Sequence, residues 1–109
     1  MIKHDFSVQN GETFQRTLYF KDASGSEIDL SGRTAECHIR TTAWTEELTA
    51  EISCTIQGDA GIINLFLDAA ESAAIPAGRY VYDLRTIDAN GAVKYYIGGN
   101  FDVFPSVTR

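Results

Sequence analysis

Glycine-bearing turn signals recur at short intervals along this chain: Asn10-Gly11, Ser24-Gly25, Ser31-Gly32, Gly58-Asp59-Ala60-Gly61, Asn90-Gly91 and Gly98-Gly99. Glycine reaches positive φ without steric cost and Asn-Gly favours tight hairpins, so this punctuation predicts many short strands rather than long helices. The segments between the turns alternate as strands do. Phe14, Leu18 and Phe20 fall on one face, and Ala35, Cys37 and Ile39 face inward while Glu36 and His38 face outward. The same period recurs in Ile52, Cys54 and Ile56, in Ile63, Leu65 and Leu67, and in Tyr80, Tyr82 and Leu84.

A lone sheet built from such strands would leave its apolar face in water, so two layers are required. With Ile2 to Val8, Val93 to Ile97 and Phe101 to Phe104 added, the expectation is an all-β, immunoglobulin-like antiparallel β-sandwich of about seven or eight strands. Residues 1–109 form a single domain on this reading, since no repeat, linker or low-complexity stretch divides them. One stretch departs from the strand pattern. Asp68 to Ile75 is rich in helix formers, with Asp68 placed to cap its start and Pro76 to end it, which predicts a short helical crossover between sheets. Behind it, Gly78-Arg79-Tyr80 has the spacing of a tyrosine corner, with Tyr80 as the corner residue. Pro105 to Arg109 reads as an edge strand or a tail.

Fifteen acidic residues against nine basic ones give a net charge of −6, and no run of Lys or Arg forms a cationic stripe. Nucleic acid and anionic membranes, which bind through clustered positive charge, are therefore not expected partners. The opening Met1-Ile2-Lys3-His4-Asp5-Phe6 lacks a secretory apolar stretch, and no run approaches the roughly 20 apolar residues that span a bilayer. The expected compartment is the cytosol, with Cys37 and Cys54 reduced.

No catalytic constellation is legible: neither histidine sits in a nucleophile motif, no Gly-x-Ser-x-Gly elbow occurs, and Gly58 to Gly61 is not followed by Gly-Lys-Ser/Thr. No cofactor and no metal site are expected. His4 and Asp5 point to opposite faces of a strand, and His38, flanked by Glu36 and Arg40, reads as a surface histidine. A hairpin centred near Thr45 and Glu46 would set Cys37 opposite Cys54, as a pair of small core side chains or as a cross-strand disulfide. Trp44, in a polar loop, either folds back onto the sandwich or anchors a partner. Of the adjacent Tyr95 and Tyr96, one must point outward.

Taken in order, the landmarks Asn10 to Thr13, Asp22 to Gly25, Ile28 to Gly32, His38-Ile39-Arg40, Gly61 to Leu65, Pro76 to Leu84, Gly99 to Val103 and Val107-Thr108-Arg109 resemble tailed-bacteriophage and prophage structural proteins. The set includes the immunoglobulin-like N-terminal domain of phage baseplate upper proteins. The resemblance implies a virion part, a tail or baseplate adaptor that meets other virion proteins and copies of itself and is assembled in the host bacterial cytoplasm. It supplies no catalytic residues. A baseplate upper protein continues into further domains where this chain stops, so the holding of a receptor-binding protein is not implied. Contact through strand edges and loops is expected, with Trp44, Tyr96 and Phe104 as interface residues. The alternative reading is a carbohydrate-binding β-sandwich module that stacks sugars on Trp44 and Tyr95 or Tyr96.

Overall fold

Alternating segments become strands in the computed structural model, which describes residues 1–108. Along the chain run β1 (Ile2–Lys3), β2 (Phe6–Gln9), β3 (Phe14–Tyr19), β4 (Thr34–Arg40), β5 (Ala50–Gln57), β6 (Ile62–Leu67), a five-residue helix α1 (Ala69–Ala73), β7 (Gly78–Ile87) and β8 (Val93–Phe104). The larger layer has the order β1/β2, β8, β7, β4, β5, and the smaller has β5, β6, β3. The fold is an all-β immunoglobulin-like sandwich. Strand β5 serves both layers. Its first residues pair with β4 (Ile52 opposite Cys37), and from Ser53 onward it pairs with β6 (Ser53 opposite Phe66).

Between the layers, Phe14 of the smaller sheet packs edge-on against Phe6 and Phe101 of the larger, with ring centroids 5.3 and 5.2 Å apart. Phe14, Phe101, Ile39, Ile63, Leu65 and Leu84 are fully buried. Each such side chain contributes about 1.5–3 kcal/mol of transfer free energy. These aromatic and aliphatic contacts fix the two sheets face to face.

The helix follows from its cap. Asp68 accepts from the Glu71 amide at 2.7 Å while the Glu71 carboxylate accepts from the Asp68 amide at 3.0 Å, so two amides without helical partners are satisfied reciprocally. The buried Ser72 hydroxyl donates to the Glu12 carbonyl at 2.7 Å and accepts from the Gly11 amide at 3.1 Å, pinning the crossover to the β2–β3 turn. Just beyond, the Tyr80 hydroxyl donates to the Pro76 carbonyl at 2.6 Å and closes the entry to β7.

At the N-terminus the structure departs from the sequence reading. The segment from Ile2 to Val8 is two strands, both parallel to β8 (Ile2 opposite Ile97, Phe6 opposite Phe101), so the larger layer is mixed rather than purely antiparallel. Gly98-Gly99, read as a turn, lies inside one continuous β8. Glycine is required there because the break between β1 and β2 presses on it: a Cβ on Gly99 would stand 2.6 Å from both the His4 carbonyl and the Asp5 carboxylate. That carboxylate accepts from the Asn100 amide at 2.9 Å, and the Tyr82 hydroxyl donates to the His4 carbonyl. Pro105 to Thr108 extend no strand, and Arg109 lies outside the described residues.

Gly99→Ala should therefore unseat the N-terminal segment, with an overpacking cost of about 1–3 kcal/mol. A lowered thermal midpoint together with faster amide exchange at His4 is the expected result. Removing the cap by Asp68→Ala should cost about 1 kcal/mol in a denaturant titration and leave exchange at His4 unchanged.

Candidate metal centre

The outer face of the larger sheet carries a cluster of charged groups. On β4, Glu36, His38 and Arg40 project outward from alternate positions, and the register brings each a neighbour on the adjoining strands. His38 stands opposite Glu51 of β5 on one side and opposite Asp83 of β7 on the other, while Glu36 stands opposite Arg85. The His38 Nε2 to Glu51 Oε2 distance is 2.9 Å. Arg85 donates from Nε at 3.0 Å and from Nη2 at 2.7 Å, both to Glu36 Oε1. Ligand atoms of Glu36, His38 and Glu51 all lie within 4.8 Å of one another, and these residues are half-buried or exposed. One imidazole nitrogen and two carboxylates converging in this way match the donors of borderline divalent ions, which sit about 2.0–2.2 Å from each ligand. Modest side-chain rotation would set an ion among the three.

Beside these groups the sheet carries a concavity of about 490 Å³. It is lined by Glu36 and His38 of β4, Asp83 and Arg85 of β7, Tyr95 and Asn100 of β8, and by Met1 and Lys3 at the N-terminal edge. That edge exists because β1 runs parallel to β8 where Gly98 and Gly99 permit close approach.

Sequence reasoning missed this constellation because of a two-residue error in register. The β4–β5 hairpin sets Cys37 opposite Ile52, not Cys54, and Cys54 pairs instead with Leu65 of β6. On the anticipated register His38 would have met Ser53. On the real one it meets Glu51, and both thiols remain free cysteines. The signal available in the sequence was the outward triplet Glu36, His38 and Arg40 followed by an outward carboxylate one hairpin later.

The expected interface residues scatter. Trp44 is 93% exposed in the hairpin loop, so it does not fold back onto the sandwich. Phe104 is half exposed near the end of β8, but Tyr96 is only 8% exposed and packs on Phe20 at 5.0 Å. A β-bulge is the reason: Leu84 pairs with Ile97 and Arg85 with Tyr95, so Tyr96 is the extra residue and both Tyr96 and Ile97 turn inward. Tyr96 cannot serve as a surface contact. It is Tyr95 that faces out.

No family model matches the chain, and no curated protein matches it. Among solved structures it is similar to CopC from Methylosinus trichosporium OB3b, with a TM-score of 0.52 and 20% identity over 96% of this chain and 88% of that one. At that identity the likeness is one of fold. It corrects the resemblance drawn from the sequence landmarks, because the similar fold is that of a CopC and not of a phage structural protein. The tail or baseplate role and the virion and host-cytoplasm location fall with it. The landmarks misled because turn glycines and a strand beginning Gly-x-Tyr are common to many sandwiches and carry no function.

The thiols beneath the site record its charge. Cys54 is pushed up to about 12, first by burial and then by the nearby carboxylates of Glu51 and Glu36. Cys37 is also raised, by burial and then by Cys54, Asp83 and Glu51. A thiol raised in the folded state stays neutral where the unfolded thiol, near 9.0, has ionised, so high pH favours unfolding. Stability should be flat with respect to these groups below about pH 8 and fall as pH rises from 9 toward 12. The decline in thermal midpoint should be shallower in Cys54→Ala, and neither thiol should react with a disulfide reagent at pH 7 until the protein is denatured.

Proposed function

We propose that this chain is a metal-binding β-sandwich protein that holds one divalent first-row transition-metal ion among His38, Glu51 and Glu36 and acts by binding rather than by turnover. The observation that carries the reading is the convergence of one imidazole and two carboxylates within 4.8 Å on adjacent strands of a rigid sheet. Sites on strands hold their geometry better than sites on loops. Imidazole and carboxylate donors select divalent ions, whereas soft copper(I) calls for thiolates or thioethers, and the two thiols here are held neutral. Among divalent ions, copper(II) stands at the top of the Irving–Williams order, so it should bind most tightly. The likeness in fold to CopC supports copper handling as the class of function, while the ligands are argued from this chain alone.

Arg85 sets the affinity. Its two hydrogen bonds to Glu36 must be shared or released when an ion arrives, so this guanidinium acts as a resident competitor for the third ligand. Calorimetric titration of the full chain with copper(II) should give one site. His38→Ala should weaken it by about 100-fold and Glu51→Gln by about tenfold, with His4→Ala unchanged, in line with the losses seen when a ligand or its support is removed. Arg85→Gln should tighten it. No binding by the wild type, or undiminished binding by His38→Ala, would contradict the proposal.

A further inference from the structure

The 490 Å³ concavity is far larger than an ion and its waters need and falls within the size range of small-molecule sites. Two of the proposed metal ligands, His38 and Glu36, line it, so a further ligand to an ion held by three protein groups would approach from the cleft. Its lining also reverses the chain's charge. The protein carries −6 overall, yet Lys3, Arg40 and Arg85 line the cleft against the carboxylates of Glu36 and Asp83. Arg85 is engaged by Glu36, and Arg40 donates to the Glu46 carbonyl, which leaves part of its guanidinium for another acceptor. The Lys3 ammonium, on the exposed β1, makes no hydrogen bond or ion pair among the described residues. Tyr95 and Asn100 add a hydroxyl and an amide to the lining.

A divalent ion added to this lining would make the cleft more cationic still. We infer that the cleft binds a small free di- or tricarboxylate as a co-ligand of the metal, one carboxylate completing the ion's coordination and another paired with Lys3 and Arg40. The inference rests on the metal reading and deepens it. A compact polycarboxylate satisfies both demands at once, because it offers a hard oxygen ligand to the ion and a second anion a few ångströms away. Neutral or cationic ligands answer neither.

Equilibrium dialysis of the full chain against radiolabelled malonate, with and without one equivalent of copper(II), tests the inference. Copper-loaded protein should retain close to one malonate per chain, and metal-free protein at least tenfold less. Lys3→Glu should lower malonate retention at least tenfold while copper(II) binding in the absence of malonate stays as in the wild type. Arg40→Gln, checked for an unchanged thermal midpoint, should lower it less. Three results would overturn the inference: no malonate on copper-loaded protein, removal of copper by malonate without a ternary complex, or equal retention by Lys3→Glu. If copper(II) fails to bind in the absence of malonate, the metal reading itself fails and takes this one with it.

Discussion

The passage of β5 from one layer to the other is the constraint on which the rest of the structure depends. Ile52 is the last residue paired with β4, and Ser53 is the first paired with β6. A strand that serves both sheets fixes their relative position at one edge, and the Phe6, Phe14 and Phe101 contacts fix it across the core. Because side chains alternate along β5, burying Ile52 against Cys37 leaves Glu51 no direction but outward, beside His38. The hydrophobic register of the sandwich thus sets the polar constellation on its outer face. A slip of two residues would keep every face dry or wet as before and still separate the imidazole from its carboxylate.

That outer face holds an excess of negative charge close to the imidazole. Glu51 and Asp83 flank His38 on its two neighbouring strands, and Glu36 follows two residues before it. Arg85 compensates Glu36 directly, binding it through two nitrogens. The same carboxylates reach the thiols on the inner face and raise them further than burial alone. A divalent cation is the chemical partner that would relieve this crowding, which is why the charge pattern and the donor geometry point the same way. The cleft beside it comes from a different device, the parallel β1 laid along β8 over two glycines.

Much of this architecture could be read from residue order. The turn glycines, the alternation in β3 to β7 and the Asp68 cap each follow from local chemistry, and each lies where that chemistry puts it. What could not be read were the features set by distant pairing. Gly98-Gly99 has the composition of a turn, and only the approach of His4 and Asp5, far away in sequence, makes it the middle of a strand. Tyr96 is turned inward by a bulge that neither sequence neighbour announces. The candidate site was hidden for the same reason. His38 and Glu51 are individually ordinary surface residues, and their meeting depends on a hairpin register that a loop rich in Thr and Glu does not fix. Trp44 is the largest apolar side chain in that loop, yet it lies exposed and takes no part in the constellation.

Pulsed electron paramagnetic resonance on the copper(II)-loaded chain counts the imidazole nitrogens bound to the ion. A site on His38 gives modulation from a single imidazole, retained in His4→Ala and lost in His38→Ala. Modulation that persists in His38→Ala, or that disappears in His4→Ala, would place the ion elsewhere and contradict a site on His38.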